Sequence, residues 1–164
     1  MPVRAVRGDE AGPLRAIRLR ALLDAPDSFG STCDRETGLP WQAWVERAER
    51  SARSEADVTF VAEGEGGWSG MAVGQLEPDD PGRAGLFGMW VAPEARGSGL
   101  GLALARAVVD WARARGAREI GLWVVASNAA AIRLYRRAGF VESGRRTGLP
   151  RHPAVVEIEM VRTL

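Results

Sequence analysis

A glycine-rich loop directly after an apolar strand is the segment of this sequence best suited to chemistry. The strand-like run 86–91 ends at a proline, and Gly97, Gly99 and Gly101 follow before a long amphipathic helix begins. Glycines allow a bulky anion to approach backbone amides, and they supply the positive φ of tight turns. The helix macrodipole adds partial positive charge at the same point, so the loop predicts a phosphate site. Arg96 at its edge adds a guanidinium that can bind phosphate through two nitrogens.

Two common phosphate loops do not fit this segment. A Walker A loop ends in Gly-Lys-Ser or Gly-Lys-Thr, and the chain contains no lysine, because its 22 basic residues are all arginines. A dinucleotide fingerprint needs a third glycine where Leu102 stands, and it belongs to the first βα turn of a chain. The glycines therefore belong to a different kind of phosphate site, or to an ordinary strand-to-helix turn.

A second pair of polar residues follows the next predicted strand. Asn128 and Tyr135 are seven residues apart, which is two helical turns, so they share one helix face at a separation of roughly 10 Å. A phenol in such a place can protonate a leaving group. The alternative is a core tyrosine whose hydroxyl hydrogen-bonds to any nearby acceptor.

Together the two segments resemble the GNAT (GCN5-related N-acetyltransferase) family. The family's pyrophosphate pattern is Arg or Gln, any two residues, Gly, any residue, then Gly or Ala, and its second signature is Asn, a Tyr seven residues later, then Gly-Phe. The resemblance is specific over residues 58–145, and in the N-terminal third it covers only the order of elements. The matching residues are Arg96, Gly99, Gly101, Asn128, Tyr135, Gly139 and Phe140.

The resemblance implies that acetyl-CoA is the cosubstrate, that no metal takes part, and that the acetyl group passes directly to a primary amine of a small molecule. It implies that Tyr135 is the general acid for the departing thiolate. The backbone of residues 89–91 would contact the acyl and pantetheine groups like an added strand, with an amide near Val91 facing the oxyanion. The implied cofactor-binding residues are Met89, Trp90, Val91, Arg96, Gly97, Ser98, Gly99, Leu100, Gly101, Leu102, Asn128 and Tyr135.

The sequence assigns no general base. An alkyl amine with a pKa of ~10.4 must lose a proton before it attacks, which costs roughly 4–5 kcal/mol at pH 7. Ribosomal-protein alanine acetyltransferases, which share the Ser-Asn-Ala-Ala-Ala-Ile run, have a glutamate five residues before the asparagine, where Trp123 stands here. This difference argues against a ribosomal-protein substrate. The loop candidates for the base are Asp34, Glu36 and His152, and a water chain is the alternative.

Two other functions compete with small-molecule acetylation. One is acetylation of a protein N-terminus or lysine, and the other is a non-catalytic acyl-CoA-binding module. Direct transfer is favoured over an acyl-enzyme because Cys33 is far in sequence from the predicted thioester site and no activated nucleophile pattern is visible. Residues 28–40 and 149–153 are predicted to line the amine site.

Composition limits the remaining possibilities. The 164 residues are 46% apolar and 26% charged, as expected for one globular domain spanning residues 1–164. A net charge of +1 gives no reason to expect nucleic-acid binding, and the single cysteine excludes an internal disulfide. No export signal or membrane span is visible, so the expected location is the cytoplasm, with no membrane partner; a homodimer is left open. Arginine without lysine, with many Ala and Gly residues, is typical of a GC-rich bacterial genome.

The predicted elements alternate as in an α/β (α+β) protein. The resemblance implies a mixed central sheet of about seven strands with a splayed parallel pair and flanking helices. Helices are expected from Pro13 and Trp41, from Gly99 to Gly116, and from Ser127, as N-cap, to Gly139. Long loops are expected at 24–40 and around 150–153, with a turn at 77–82. The strands are predicted at 2–7, 59–63, 68–76, 86–91, 119–125 (buried on both faces), 140–146 and 155–162.

Overall fold

The computed structural model describes residues 1–150 and 152–164, which form one seven-stranded sheet with helices on both faces. None of the described helices is long and apolar enough to span a membrane. The strands are β1 Val3–Ala5, β2 Asp57–Gly64, β3 Gly67–Glu77, β4 Asp80–Val91, β5 Glu119–Val125, β6 Val141–Leu149 and β7 His152–Thr163. The helices are α1 Ala11–Asp24, α2 Cys33–Thr37, α3 Trp41–Arg53, α4 Leu100–Ala114 and α5 Ala129–Arg137, with 3-10 turns at Pro26–Ser28 and Pro93–Ala95.

The strand order is β1-β2-β3-β4-β5-β7-β6, and β4 and β5 are its parallel pair. All other neighbours are antiparallel. The parallel contact is short, since only residues 83–85 pair with residues 119–121. Beyond Gly85 the two strands separate, which confirms the predicted mixed sheet with a splayed parallel pair.

A bulge in β4 accompanies this separation. Met71 of β3 lies opposite Trp90, whereas Val73 lies opposite Phe87, so β4 has one residue more than β3 over this stretch. Gly88 within the extra stretch has a φ of 55°, a conformation that glycine adopts without a Cβ penalty. Bulges bend a strand and increase its twist. Residues 86–91 consequently have no strand partner on the side of β5.

The two faces of the sheet are covered to different extents. Helix α4 packs directly on β3, since a methyl group at Gly74 would lie 2.9 Å from side-chain atoms of Trp111 and Val108. On the opposite face α1 and α3 pack on β2 and β3, with Trp44 fully buried. Strand β5 is covered only on the α4 side. Trp123 on its other face is 37% exposed, so the prediction that residues 119–125 are buried on both faces is wrong.

Several predicted boundaries also need correction. The expected loop at 24–40 contains α2, whose N-cap Thr32 accepts a hydrogen bond from the Arg35 amide at 3.1 Å. The expected turn at 77–82 is shorter, because β4 already begins at Asp80. The expected loop around 150–153 is strand at residues 152 and 153, since β7 begins at His152. Within that predicted range, residue 151 lies outside the described residues.

Helix ends follow local signals. Gly116 and Gly139 have φ of 83° and 89° directly after the C-caps of α4 and α5, as predicted. The N-cap of α5 is Asn128 and not Ser127, because the Asn128 Oδ1 accepts the Ala131 amide at 3.1 Å. The predicted cap was therefore wrong by one residue. This places a residue of the family signature at the N-terminus of α5.

Candidate active site

The glycine loop leaves a group of backbone amides free at the start of α4. Gly97 and Gly99 have φ of 79° and 87°, so both need the left-handed conformation. Among the described residues, no acceptor binds the amides of Gly97, Gly99, Gly101 or Leu102. A methyl group at either of the first two glycines would meet no atom within 4 Å, so there is open space beside the loop. These features fit an anion site at the positive end of a helix.

Gly101 has a different role from the other two glycines. Its φ is not positive, but a methyl group there would lie 2.5 Å from the Leu134 Cδ1 of α5. The same methyl would lie 3.5 Å from Met89 Cε and 3.6 Å from Val91 Cγ2. Gly101 thus permits close approach of α4 to α5 at the end of β4. This contact brings the phosphate loop, the open strand edge and the helix of Tyr135 together.

The Arg96 side chain is turned toward α1. Its Nε donates to the Val91 carbonyl at 3.1 Å, and its Nη2 forms an ion pair with Asp24 Oδ2. Asp24 also accepts from the Trp90 Nε1 at 2.9 Å. The Trp90 hydrogen bond lowers the pKa of Asp24, with further help from Arg96 and against the effect of burial. Arg96 therefore fastens the loop to the end of α1, and its predicted contact with a phosphate stays a prediction.

Tyr135 and Asn128 present free donors. Tyr135 is buried on α5 and packs edge-to-face on Phe140 at a centroid distance of 6.0 Å. Burial raises the pKa of its phenol above the ordinary value, so the hydroxyl stays protonated. Across residues 1–150 and 152–164, the Tyr135 hydroxyl and the Asn128 side-chain nitrogen have no hydrogen-bond partner. Their predicted roles as proton donor and cofactor ligand stay predictions.

A first cavity of about 270 Å³ lies on the α1 side of the sheet. Its walls come from α1, α2 and α3, and its floor comes from β2, β3 and β4. Glu36 is buried in this wall and accepts Arg18 Nη2 and Arg47 Nη1, both at 2.9 Å. Burial alone would raise the pKa of Glu36, but the two arginines outweigh it and lower the pKa to about 2. Phe87 and Gly88 complete the lining and connect the cavity to the bulge.

A second cavity of about 260 Å³ lies over the parallel pair and β7 and shares Phe87 with the first. Its floor contains the buried Glu159, which lies opposite Trp123 in the sheet. The Glu159 carboxylate accepts Arg83 Nη2 at 2.6 Å, Arg145 Nη1 at 3.2 Å and Ser143 Oγ at 2.6 Å. Both carboxylate oxygens thus already accept hydrogen bonds from side chains of β4 and β6. Glu159 therefore links these two strands to β7.

The loop residues considered as the general base fit poorly. The two arginines of Glu36 lower its pKa to about 2 and bind its carboxylate, so it is a weak proton acceptor, and Asp34 is exposed on α2. His152 is half exposed, with its Nε2 3.9 Å from Asp27 Oδ1. Asp27 directly precedes segment 28–40, and His152 belongs to segment 149–153. The contact therefore brings together the ends of the two segments that are predicted to line the amine site. Among the three, only Glu36 lines a cavity beside the bulge.

Glu157 is a candidate that sequence reasoning missed. It lies on β7 opposite Val125, on the same open face as Glu159 and Trp123. Burial raises its pKa, and within the described part of the chain it has no hydrogen bond or ion pair. The signal was the alternation Glu157-Ile158-Glu159 between the apolar pairs Val155-Val156 and Met160-Val161, which directs both carboxylates to one face.

Comparison with known proteins identifies the family. The model of the Acetyltransferase (GNAT) family matches residues 18–140, which is most of the chain. The mycothiol acetyltransferase of Saccharomonospora viridis is 36% identical over 103 residues, covering 58% of this chain and 34% of that protein. The [ribosomal protein bS18]-alanine N-acetyltransferase of Escherichia coli K12 is 36% identical over 100 residues, covering 61% and 66%. The chain thus spans about a third of the first relative and just under two thirds of the second.

Solved structures agree with this result. A GNAT-family acetyltransferase from Streptococcus pneumoniae superposes with a TM-score of 0.86 at 23% identity, covering 99% of this chain and 98% of that one. A GCN5-related N-acetyltransferase from Kribbella flavida gives 0.77 at 25% identity, covering 99% and 97%. The predicted resemblance and fold are confirmed. With a family model that matches most of its length, this chain belongs to the GNAT family of acetyltransferases.

Proposed function

We propose that this protein transfers an acetyl group from acetyl-CoA directly to a primary amine of a small molecule. The observation that carries the proposal is the set of free amides at the start of α4, next to the unpaired edge of β4. Family membership supports the same reaction class. The cytoplasmic, bacterial setting expected from composition remains part of this proposal.

The described residues fit acetyl-CoA as the donor, which supplies the acetyl group activated as a thioester. The open amides of Gly97, Gly99 and Gly101 would hold its pyrophosphate, with the helix dipole of α4 behind them. Where β4 separates from β5 (the splay), the β4 backbone over residues 89–91 has no strand partner, although the Val91 carbonyl accepts Arg96 Nε; this edge suits an extended pantetheine arm. Asn128 has a free amide nitrogen at the N-terminus of α5 for the same arm.

Two side chains suit the proton transfers. The Tyr135 Oη carries a proton that burial retains, and no acceptor among the described residues binds it, so it can donate to a departing thiolate. Glu157 is an unpaired carboxylate on the opposite, open face, where an amine would enter. Its raised pKa makes it a better proton acceptor than an ordinary glutamate. We assign it as the base, directly or through one water.

The size of the first cavity favours a small acceptor. At about 270 Å³, lined by three helices and the sheet, it is below the ~300–1,000 Å³ of pockets for drug-sized ligands. The relatives include named acetyltransferases for mycothiol and streptothricin and for a ribosomal protein, so names alone do not choose between acceptors. Acetylation of a protein N-terminus is therefore the second candidate.

Two measurements test the proposed function. Calorimetry should detect CoA binding, and a thiol-release assay with acetyl-CoA should detect turnover of some members of a panel of amino acids, polyamines, aminoglycosides and peptides. Turnover restricted to peptides would favour the second candidate. CoA binding without turnover of any panel member would favour a non-catalytic binding module.

A further inference from the structure

The first cavity has an unbalanced set of charges. Three arginines line it, Arg18, Arg47 and Arg50, against the two carboxylates of Glu36 and Asp57. Solvent screens the charges of the buried Glu36 and of Arg18 less than charges on an open surface, whereas Arg50 is exposed. The cavity lining therefore carries an excess of one positive charge beside the acetyl-transfer region.

The charges fall into two groups. Arg18 and Arg47 share the buried Glu36 carboxylate, which leaves one positive charge in that group. Asp57 accepts from Gln75 Nε2 at 2.8 Å and from Ser54 Oγ at 3.2 Å. Arg50 has no carboxylate within ion-pair distance anywhere in residues 1–150 and 152–164. Among the three arginines of the cavity it is therefore the one without a carboxylate partner, and it is exposed to solvent.

We propose that this cavity binds an acceptor carrying one carboxylate, so that the substrates are small amines of the amino-acid class. This inference rests on the proposed function and narrows it. Arg50 contacts the carboxylate through two guanidinium nitrogens, and the partly exposed Arg47 adds positive charge at the same wall. The amine then points to the end of the cavity that Phe87 and Gly88 form at the bulge.

The same charges select against other amines. A polyamine would bring two or more positive charges next to three arginines, and only two carboxylates are there to offset the repulsion. An amino acid amide keeps the amine and the shape of the amino acid but lacks the negative charge. Comparison of each amino acid with its amide therefore isolates the carboxylate.

The test is a thiol-release assay on wild-type enzyme with free amino acids, their matched amides and spermidine. We expect the best amino acid to exceed its amide in kcat/KM by about 10- to 100-fold, as for loss of one charged hydrogen-bonding partner. Arg50→Gln should remove most of this preference. Arg53→Gln, on the same helix and outside the cavity lining, makes the same charge change and should leave the preference intact.

A binding measurement separates this inference from the proposed function. Calorimetry with N-acetyl amino acids should show binding to the wild type and to Arg53→Gln and a loss of about tenfold or more in affinity for Arg50→Gln. Equal turnover of acids and amides, or preferred acetylation of spermidine, would overturn the carboxylate assignment and leave the acetyltransferase proposal standing. An absence of turnover with every acceptor would instead defeat the proposed function, and the calorimetry would then decide whether the carboxylate site exists.

Discussion

The Tyr135 hydroxyl combines burial with the absence of a protein acceptor among the described residues, and this combination can be tested by removing one oxygen atom. Tyr135→Phe keeps the edge-to-face contact with Phe140. Loss of a positioned general acid should lower kcat by ~10²- to 10⁴-fold with little change in KM. Measured kcat and melting temperature decide the question, because a purely structural tyrosine would show changed stability with turnover nearly intact.

Glu157 should control the acidic limb of the pH–rate profile. A carboxylate base acts when deprotonated, so kcat/KM rises as pH increases through its pKa. Burial raises that pKa, which moves the limb to a higher pH than an ordinary glutamate would give. We expect Glu157→Gln to lower kcat by ~10²-fold or more and to remove the limb.

The matched control for this variant is Glu65→Gln, in the exposed turn between β2 and β3. It should leave both the rate and the limb unchanged. An unaltered limb in Glu157→Gln would mean that another titrating group sets the limb and that Glu157 is not the base.

The prediction of single residues from the sequence was strongest where the signal was local. Gly97 and Gly99 indicate a tight turn, because few other residues tolerate positive φ. Glu157 was missed, since its position beside the splay depends on the pairing of β5 with β7. The direction of the Arg96 side chain was also hidden, because its partner Asp24 lies 72 residues away.

At the scale of elements, the ion pair between Arg96 and Asp24 joins the phosphate loop to the C-terminus of α1. Asp24→Asn should preserve an acceptor for Trp90 Nε1 and remove the charge that holds Arg96. If Arg96 acts as an anchor, CoA affinity should fall by up to about fivefold, the range of a partly exposed ion pair. Calorimetry would reveal the opposite outcome, tighter CoA binding, if the released guanidinium binds the pyrophosphate.

Glu36 joins three helices, since α2 supplies the carboxylate and α1 and α3 supply Arg18 and Arg47. Removal of one partner of a buried pair leaves charge uncompensated, so Glu36→Gln should lower the free energy of unfolding by about 3 kcal/mol at pH 7. The pKa of Glu36 is lowered from 4.5 to about 2, so its contribution is present above pH 4.5 and is lost as pH falls toward 2.

Denaturant unfolding of wild type and Glu36→Gln across this pH range measures the effect. The two stabilities should converge as pH approaches 2. Glu46→Gln, on the exposed face of α3, is the control and should differ little from wild type at any pH. A constant difference at all pH values would mean that shape, and not charge, is what Glu36 contributes.

The type of most elements, helix or strand, could be predicted from the sequence, but their first and last residues were harder to predict. The glycines after α4 and α5 mark those ends because they adopt positive φ at the C′ position. The short α2 was hidden in a run of turn-forming residues, since its stability comes from Glu36 contacts distant in sequence. The β6–β7 hairpin extends to Leu149 and His152 through cross-strand pairing, which composition around two prolines did not suggest.

At the scale of the whole molecule, function depends on the separation of β4 from β5. The order of elements and the phosphate loop could be read from periodicity and glycine spacing. The open face could not, because it results from three helices covering β2 to β4 and leaving Trp123 and Glu157 uncovered. The two faces of the sheet therefore differ where β4 and β5 separate. The free amides of the glycine loop lie on the α4 face, and the two cavities lie on the α1 face.

The bulge at Gly88 contributes to the separation of β4 from β5, and a substitution there can test this. Gly88→Ala places a Cβ at a φ of 55°, 3.4 Å from Val73 Cγ2, at a cost of roughly 1–2 kcal/mol. To relieve this strain the bulge must change, which re-aims the backbone of residues 89–91 and moves Phe87 at the junction of both cavities. We therefore expect kcat to fall by at least tenfold, with a smaller loss of CoA affinity, because the backbone that faces the pantetheine arm moves while the loop at Gly97 and Gly99 is untouched.

The matched control for this variant is Gly116→Ala, directly after α4. Its φ is 83°, and a methyl group there would meet no atom within 4 Å, so it imposes the same kind of backbone strain at the end of α4 away from the phosphate loop. Both variants should lose similar stability, and only Gly88→Ala should lose turnover, as measured by thermal unfolding beside thiol release. Equal losses of turnover in the two would show that general destabilisation, and not the bulge geometry, limits the reaction, because the two variants share the strain and differ only in their position relative to β4.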